Sequence, residues 1–156
     1  MRRMTIALAF AVLTLTVPAP AAAGEAGPVH HRSEATRALG LPFSDAVQVG
    51  DVLYISGQLG NLPGRMELAP GGMEGQARQV MDNIGAILAA RGLTYDDLFK
   101  CTVMMADMSQ WGAFNRVYVP YFKPDRLPAR SAFGASGLAL GGLLEVECQA
   151  WSPAGR

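Results

Sequence analysis

The fold is decided by one stretch, which reads AVQVGDVLYISG from Ala46 to Gly57. Two runs rich in β-branched and apolar side chains flank the dipeptide Gly50-Asp51. Two such runs, joined by a pair of turn-forming residues, are typical of an antiparallel hairpin. The sequence therefore predicts that the domain is built on a β-sheet and that residues 46–57 supply two of its strands.

An amphipathic helix is predicted after the hairpin, beyond a loop of prolines and glycines at 61–72. Between Glu74 and Arg91 the apolar residues recur three and four positions apart, and Gly92 follows as a residue that commonly ends a helix. The apolar stripe consists of Ala77, Val80, Met81, Ile84, Ile87 and Leu88. One face of this helix is therefore expected to pack on the sheet.

A second helix is predicted between two further strands. The run Leu98–Ala106 is strand-like, and Asp107 with Gln110 has the spacing of a capping box at a helix start. Pro120 lies late in the helical pattern, so we expect the helix to end or kink near Val119. Its apolar stripe consists of Trp111, Phe114, Val117, Tyr118 and Tyr121.

The chain closes with two more strands. Ala129–Gly134 is a short strand candidate, 137–142 is a glycine-rich turn, and apolar and polar residues alternate over Leu143–Trp151. The predicted order of elements gives an α+β fold in which two helices cover one face of a mixed β-sheet. The other face, which carries Glu145 and Glu147, is expected to be solvated or buried in an oligomer.

The N-terminal residues are predicted to be an export signal. Arg2 and Arg3 precede an apolar run over 5–17, and Ala21-Ala22-Ala23 follows as a small-residue cleavage site. A membrane anchor is the alternative, but the run is short for a bilayer span of about 20 residues. We therefore expect a protein exported to a bacterial periplasm and free of the membrane once the signal peptide is cleaved.

The rest of the chain has the size and composition of one globular domain. Of 156 residues, 50% are hydrophobic and 17% are charged, which excludes a disordered tail. The 13 basic and 13 acidic side chains balance, whereas a general nucleic-acid binder shows a basic excess. The predicted organisation is a signal peptide at 1–23, a flexible leader at 24–40 and one domain at 41–153.

The cysteines and histidines exclude several kinds of site. Cys101 and Cys148 both fall in apolar strand-like runs, so two separate core residues are expected, with a disulfide as the alternative. The two histidines, His30 and His31, adjoin each other ahead of the domain. A Ser-His-Asp or Cys-His catalytic site is therefore not expected, and no metal site is predicted.

Two charged residues in apolar strands are candidates for chemistry. Arg130 could bind a planar carboxylate through two hydrogen bonds or form a surface ion pair. Glu145 lies in the last strand, where it either faces solvent beside Glu147 or lines a cleft as an acid–base group. Ser56-Gly57, near a strand end, offers a hydroxyl and an N–H to a ligand or forms a plain turn.

Six segments form a pattern through their order and spacing. They are 41-LPFSDA-46, 54-YISGQ-58, 76-QARQVMDN-83, 115-NRVY-118, 128-PARS-131 and 144-LEVE-147. Together they resemble the RidA/YjgF family of reactive-intermediate deaminases, from Leu41 to Trp151. The resemblance implies a chorismate-mutase-like α+β fold assembled as a homotrimer, with ligand sites between subunits. It also implies hydrolysis of 2-imino acids, or their enamine tautomers, to 2-oxo acids and ammonia, without a cofactor.

The resemblance also implies a role for particular residues. By position, Arg130 matches the arginine that holds the substrate carboxylate, and Glu145 matches the glutamate that positions the attacking water. Asn115, Ser56 and Gly57 match residues that line the cleft. An imine is already electrophilic, so orientation, charge matching and a placed water suffice for its hydrolysis.

Two residues depart from the family pattern. Phe43 stands where deaminase-active members carry a tyrosine, and Ala132 stands where many carry a cysteine, a position that contributes chiefly through its backbone. If the tyrosine orients substrate or water, its loss costs about 1–3 kcal/mol, or roughly 5–150-fold in rate. The departure at Phe43 therefore predicts a slower enzyme, a shifted substrate range or no turnover.

The sequence is compatible with three functions, of which the third is disfavoured. The first is an exported hydrolase, an imine deaminase acting on a small-molecule imino acid, and Glu145 favours it. The second is a non-catalytic trimeric binding protein for small carboxylates or amino-acid-derived metabolites, and Phe43 favours that. A ribonuclease, an activity sometimes attached to the family, is disfavoured by the balanced charge and by the lack of a histidine base in the domain.

Overall fold

The computed structural model describes residues 27–153, so the predicted signal peptide at 1–23 lies outside the described residues. The strands are β1 (Val29–His31), β2 (Ala46–Val49), β3 (Val52–Leu59), β4 (Leu98–Met105), β5 (Ala129–Gly134) and β6 (Leu144–Trp151). The helices are α1 (Glu34–Ala38), α2 (Gly72–Ala89) and α3 (Trp111–Tyr118).

The six strands form one mixed sheet in the order β1-β2-β3-β6-β4-β5. Neighbouring strands are antiparallel except β4 and β5, which run parallel and are joined by the crossover that contains α3. The predicted hairpin is present, with Val49 paired to Val52 across the turn. The bounds predicted for β5 and the α+β class with a mixed sheet are confirmed.

The hydrophobic core lies between the sheet and the helices α2 and α3. The apolar stripe predicted for α2 is buried in it, except for Ile87, which is partly buried. The helix ends at Ala89, and three residues later Gly92 has φ 70°, a left-handed conformation that favours glycine. The helical period therefore predicted the packed face of α2, and Gly92 predicted an end at Arg91, close to the observed end at Ala89.

The opposite side of the sheet is uncovered within residues 27–153, and we call it the open face. Along β6, every second side chain from Leu144 to Ala150 is buried against the helices. The alternate side chains of Glu145, Glu147 and Gln149 are half-exposed or exposed on the open face. This is the alternation that the sequence predicted.

The region around α3 begins and ends in 3₁₀ turns. Asp107 caps the first turn, at Met108–Gln110, because its carboxylate accepts a hydrogen bond from the backbone N–H of Ser109. The second turn, at Val119–Tyr121, follows α3 directly and contains Pro120. The predicted start and end of this helical region are confirmed, although its first turn is tighter than an α-helix.

The segment before the domain differs from the leader predicted at 24–40, because it contains β1 and α1. The strand β1 pairs with β2, and α1 is capped by Ser33, whose hydroxyl accepts a hydrogen bond from the N–H of Thr36. The Asp45 carboxylate accepts hydrogen bonds from the Ser33 N–H and the Thr36 hydroxyl. Elements this short are stabilised by pairing and capping rather than by an apolar period, so no periodic pattern indicated them.

Cys101 and Cys148 form a disulfide between β4 and β6. The two residues are directly opposed in the antiparallel ladder, with Cα atoms 4.1 Å apart, and both side chains are buried. The expectation of two separate core cysteines is therefore wrong, although their burial was predicted correctly. Sequence spacing did not reveal the pairing because it does not fix the register between strands that are not neighbours in the chain.

Candidate active site

The predicted site residues form two groups on opposite sides of the sheet. We call the first group the arginine half-site, and it consists of Arg130, Asn115 and Ala132. We call the second group the glutamate half-site, and it consists of Glu145, Gly57, Ser56 and Phe43.

The guanidinium of Arg130 packs against three aromatic rings of α3. Its Cζ atom lies 4.5 Å from the ring centroid of Trp111, 4.6 Å from that of Tyr118 and 5.6 Å from that of Phe114. Cation–π contacts stabilise a guanidinium by about 0.5–2 kcal/mol, depending on how far it is desolvated. The rings therefore fix the position of Arg130 without neutralising its charge.

Three buried polar atoms of Arg130 and α3 have no hydrogen-bond partner among the described residues. They are Nη1 of Arg130, Oδ1 of Asn115 and the hydroxyl oxygen of Tyr118. Asn115 lies four residues after Trp111 and three before Tyr118, so these three side chains share one face of α3. An unpaired buried polar group costs about 1–3 kcal/mol, which a ligand or water that pairs with it relieves.

The charges of this half-site suit an anionic ligand. No carboxylate within residues 27–153 forms an ion pair with Arg130. Burial raises the pKa of Tyr118 to about 12, with the charge of Arg130 acting in the opposite direction, so its hydroxyl keeps its proton near neutral pH. The half-site therefore combines an unneutralised cation with a neutral hydroxyl donor.

Glu145 projects from β6 with its carboxylate against the backbone of Gly57. A Cβ atom on residue 57 would lie 1.9 Å from Oε1 of Glu145, so only glycine leaves room for the carboxylate in this position. Burial raises the pKa of Glu145, and repulsion from Glu147 raises it further. A carboxylate with a raised pKa accepts a proton more readily near neutral pH, as a general base requires.

Phe43 and Ser56 line a cavity of about 470 Å³. Its other lining residues come from β1, from the loop that precedes β2, and from β2. We call it the β1–β3 cavity. The Ser56 hydroxyl donates a hydrogen bond to the carbonyl oxygen of Ser44, 2.7 Å away, which fixes its orientation. The Phe43 ring is 48% exposed and, unlike a tyrosine, brings no hydroxyl to the cavity.

A single chain does not bring the two half-sites together. Arg130 pairs with Cys101 of β4, whose side chain is buried on the helix side of the sheet. Glu145 pairs with Met104, three residues further along β4 and therefore on the opposite face. Ala132, two residues after Arg130, packs against the core on the helix side and supplies only backbone polar groups.

Four further residues belong to the surroundings of the two half-sites, although no sequence motif identified them as site residues. Trp111 and Tyr118 were assigned only to an apolar helix stripe, although their spacing around Asn115 was an available signal. His30 and Arg32 were assigned to the leader, yet both line the β1–β3 cavity because β1 pairs with β2. Nothing in the local sequence indicated that pairing.

Chemically, the arginine half-site offers a fixed cation and hydrogen-bonding groups, and the glutamate half-site offers a base. Together they can hold a small carboxylate and accept a proton from water. Within residues 27–153, no three His, Cys, Asp or Glu side chains cluster in a way that could hold a metal ion.

The fold defines a class of protein, an α+β domain in which helices cover one face of a six-stranded mixed sheet. A family model described as Endoribonuclease L-PSP matches residues 34–152. The chain belongs to this family, which is the RidA/YjgF family that the six sequence segments resemble.

Individual relatives agree with this membership. The chain is 42% identical to the 2-iminobutanoate/2-iminopropanoate deaminase of Mus musculus over 115 residues, covering 74% of this chain and 84% of that protein. It is 43% identical to the deaminase of the same name from Capra hircus, and the match covers 74% of this chain and 82% of that protein. The predicted family is thereby confirmed.

Solved structures agree as well. RidA from the Antarctic bacterium Psychrobacter is 40% identical, with a TM-score of 0.66 over 70% of this chain and 88% of that chain. A Rid family protein of unknown function from Yersinia pestis is 36% identical, with a TM-score of 0.68, and the match covers 71% of this chain and 88% of that chain. The predicted fold is confirmed by both.

The comparisons contradict the predicted export to a bacterial periplasm. The mouse and goat relatives, and one from Arabidopsis thaliana that is named chloroplastic, come from eukaryotes, whose cells have no periplasm. The prediction was wrong because it rested on the composition of residues 1–23 alone, which lie outside the described residues. Among residues 27–153, no helix is long and apolar enough to cross a membrane.

Proposed function

We propose that this chain hydrolyses reactive 2-imino acids, and their enamine tautomers, to 2-oxo acids and ammonia. The observation that carries the proposal is the aromatic-lined guanidinium of Arg130, whose buried Nη1 has no partner among the described residues. A positioned cation without an acidic neighbour suits the capture of a substrate carboxylate. The reaction itself is suggested by the names of the mammalian relatives.

The arginine half-site binds and orients the substrate in this proposal. Arg130 holds the carboxylate through two parallel N–H···O hydrogen bonds, which fixes the plane of the neighbouring C=N group. The buried amide oxygen of Asn115, which lacks a partner among the described residues, accepts a hydrogen bond from the imine nitrogen. Holding both ends of the molecule presents the imine carbon to water in one orientation.

Glu145 transfers the protons of the proposed reaction as a general base and then as a general acid. Water adds to the imine carbon, and one proton of that water passes to the Glu145 carboxylate and from there to the nitrogen, which gives a neutral carbinolamine. Glu145 then takes the proton of the new hydroxyl group and delivers it to the nitrogen, the C–N bond breaks, and ammonia leaves as the C=O bond forms. One imino acid and one water give one 2-oxo acid and one ammonia.

The two half-sites must face each other, and we infer that a homotrimer achieves this. In that assembly the arginine half-site of one subunit meets the glutamate half-site of the next. The large exposed side chains of the open face support an interface, because Tyr54 is 46% exposed and Phe133 and Trp151 are each 50% exposed. Light scattering at micromolar concentration should give three chain masses, and a monomer would contradict the shared site.

A second candidate function rests on Phe43, which brings no hydroxyl to the β1–β3 cavity. If that hydroxyl is needed for turnover, the chain binds small carboxylates without hydrolysing imines. The ribonuclease in the family description gains no support here, because the 13 basic and 13 acidic residues leave no positive excess for a polyanion.

The deciding experiment generates 2-iminopropanoate and 2-iminobutanoate in situ with an amino-acid oxidase and traps the imine with semicarbazide. The wild-type protein should lower the yield of trapped imine. Glu145→Gln should abolish this effect and still bind 2-oxobutanoate in calorimetry, whereas Arg130→Ala should abolish both. Two matched controls remove exposed charges. Glu67→Gln removes a carboxylate far along the chain from Glu145, and Arg126→Ala removes a guanidinium just before β5.

Each outcome separates the candidate functions. Turnover and binding that survive Arg130→Ala would overturn the assignment of the site. Binding of 2-oxobutanoate that depends on Arg130, without any effect of the wild-type protein on trapping, would replace the deaminase by the binding protein.

A further inference from the structure

His30 in β1 and Arg32, the residue that follows the strand, add an imidazole and a guanidinium to the β1–β3 cavity. His30 and Arg32 are two residues apart in the chain, and both line this cavity together with Phe43 and Ser56 of the glutamate half-site. They reach it because β1 pairs with β2, which places His30 opposite Val47. The surroundings of the glutamate half-site therefore include groups that the proposed deamination chemistry does not use.

Arg32 is anchored but not neutralised. Its Nη2 donates a hydrogen bond to the carbonyl oxygen of Leu41 at 2.6 Å, and its Nε is buried without a partner among the described residues. A guanidinium has five N–H donors, so most of them remain available for a ligand. No carboxylate within residues 27–153 forms an ion pair with it.

The lining of the cavity contains no acidic side chain. Asp45, which follows the loop that lines the cavity, is engaged by the Ser33 N–H and the Thr36 hydroxyl and is not part of the lining. A concave surface that carries a guanidinium and an imidazole, and no carboxylate, attracts anions. At about 470 Å³, the cavity also has room for far more than a methyl or ethyl group.

We propose that Arg32 and His30 bind a carboxylate on the side chain of the substrate, so that dicarboxylic imino acids are preferred. This proposal rests on the proposed function, which places Phe43 and Ser56 in the substrate cleft. Arg130 of one subunit then holds the carboxylate next to the imine, and Arg32 holds the distal carboxylate. A methyl or ethyl side chain would leave the buried Nε of Arg32 unpaired, whereas a carboxylate pairs with it.

The test compares substrates and ligands of matched size with one or two carboxylates. The trapping assay gives kcat/KM for 2-iminoglutarate and for 2-iminobutanoate, with the full-length chain. Calorimetry gives Kd for 2-oxoglutarate and 2-oxobutanoate, which requires no turnover. The variants are Arg32→Gln and His30→Gln, and the matched control is Arg37→Gln, which removes an exposed cation of α1 that does not line the cavity.

The wild-type protein should favour the dicarboxylic member in both measurements. Arg32→Gln should lower this preference by about 10–100-fold while leaving kcat/KM for 2-iminobutanoate within about twofold, and Arg37→Gln should leave the preference unchanged. Turnover without a dicarboxylic preference, or a preference that survives Arg32→Gln, would overturn the inference and leave the deaminase standing. No turnover, with 2-oxoglutarate binding that depends on Arg32, would overturn the proposed function alone.

Discussion

The carboxylate of Glu145 lies against the backbone of Gly57, in space that a Cβ atom on residue 57 would fill. That Cβ atom would approach Oε1 of Glu145 to 1.9 Å, so the glutamate side chain would have to move. Gly57 lies where the pairing between β3 and β6 changes register, between Ile55 and Gln58. Bulges of this kind redirect side chains next to functional sites, and here the bulge admits the carboxylate.

Gly57→Ala is therefore expected to move Glu145 without unfolding the domain. Because the proposed step needs Glu145 within hydrogen-bond reach of water, kcat should fall by about 100-fold while KM changes little. Steady-state kinetics in the trapping assay measure both constants. Gly137→Ala is the control, since a Cβ atom at residue 137 meets nothing within 4 Å. An unchanged kcat in Gly57→Ala would show that the position of Glu145 is not required.

The pH dependence of turnover should report Glu145. Burial and then Glu147 raise its pKa, and only the ionised form can accept a proton, so kcat should rise with pH through that pKa. Glu147→Gln removes the repulsion between the two carboxylates, so the pKa of Glu145 should fall and the acid limb of the kcat profile should move to lower pH. Glu67→Gln, a charge change on an exposed loop, should not move it. A shift to higher pH in Glu147→Gln would contradict this assignment.

The raised pKa of Glu145 also makes the free energy of unfolding depend on pH. The folded protein holds the Glu145 proton at pH values where the unfolded chain has lost it. The contribution of this group to the free energy of unfolding therefore decreases as pH rises from the ordinary pKa of a glutamate to the raised one. The raised pKa that suits Glu145 to act as a base therefore lowers the free energy of unfolding near neutral pH.

Local sequence patterns predicted much of this fold and only part of its site. The hairpin, the α2 stripe and the bounds of β5 followed from residues that are neighbours in the chain. The contact of Arg130 with Trp111 joins a strand to a helix 19 positions earlier, and the Cys101–Cys148 bond joins two strands. Such contacts depend on register and crossover geometry, which composition and periodicity do not encode.

Trp111→Leu should weaken substrate binding by loosening Arg130. The loss of a cation–π contact of about 0.5–2 kcal/mol corresponds to a rise in KM of about 2–30-fold, with a smaller change in kcat. Kinetics in the trapping assay check this, and circular dichroism confirms that the fold is retained. Phe99→Leu, which shortens an exposed aromatic residue of β4, is the control. If both variants keep the wild-type KM, the aromatic rings do not position the guanidinium.

The Cys101–Cys148 disulfide should stabilise the domain. Its residues are 47 positions apart, and constraining a loop of that length in the unfolded chain contributes about 2–4 kcal/mol. The double variant Cys101→Ala/Cys148→Ala should therefore unfold at a lower urea concentration than the oxidised wild type. The reduced wild type, which keeps both sulfur atoms in the core, separates the cross-link from the packing. Equal unfolding free energies for oxidised and reduced protein would contradict the prediction.

Phe43→Tyr should increase turnover if the missing hydroxyl limits the reaction. The ring is 48% exposed and lines the β1–β3 cavity, so an added hydroxyl has room and remains in contact with the cavity. A hydrogen bond to substrate or water is worth about 1 kcal/mol or more, which corresponds to a gain of about 5–10-fold in kcat/KM for 2-iminobutanoate. Kinetics in the trapping assay measure this gain, and Phe99→Tyr is the control for adding a hydroxyl elsewhere.

The choice of substrate makes the Phe43→Tyr result more informative. If Arg32 binds a distal carboxylate in the same cavity, the hydroxyl should help 2-iminobutanoate more than 2-iminoglutarate, because the dicarboxylate is already held at both ends. An equal gain for both substrates would indicate that the hydroxyl acts on the attacking water alone. If the wild type turns over both substrates and Phe43→Tyr brings no gain for either, the phenylalanine does not limit the reaction, which would remove the strongest argument for a non-catalytic binding protein.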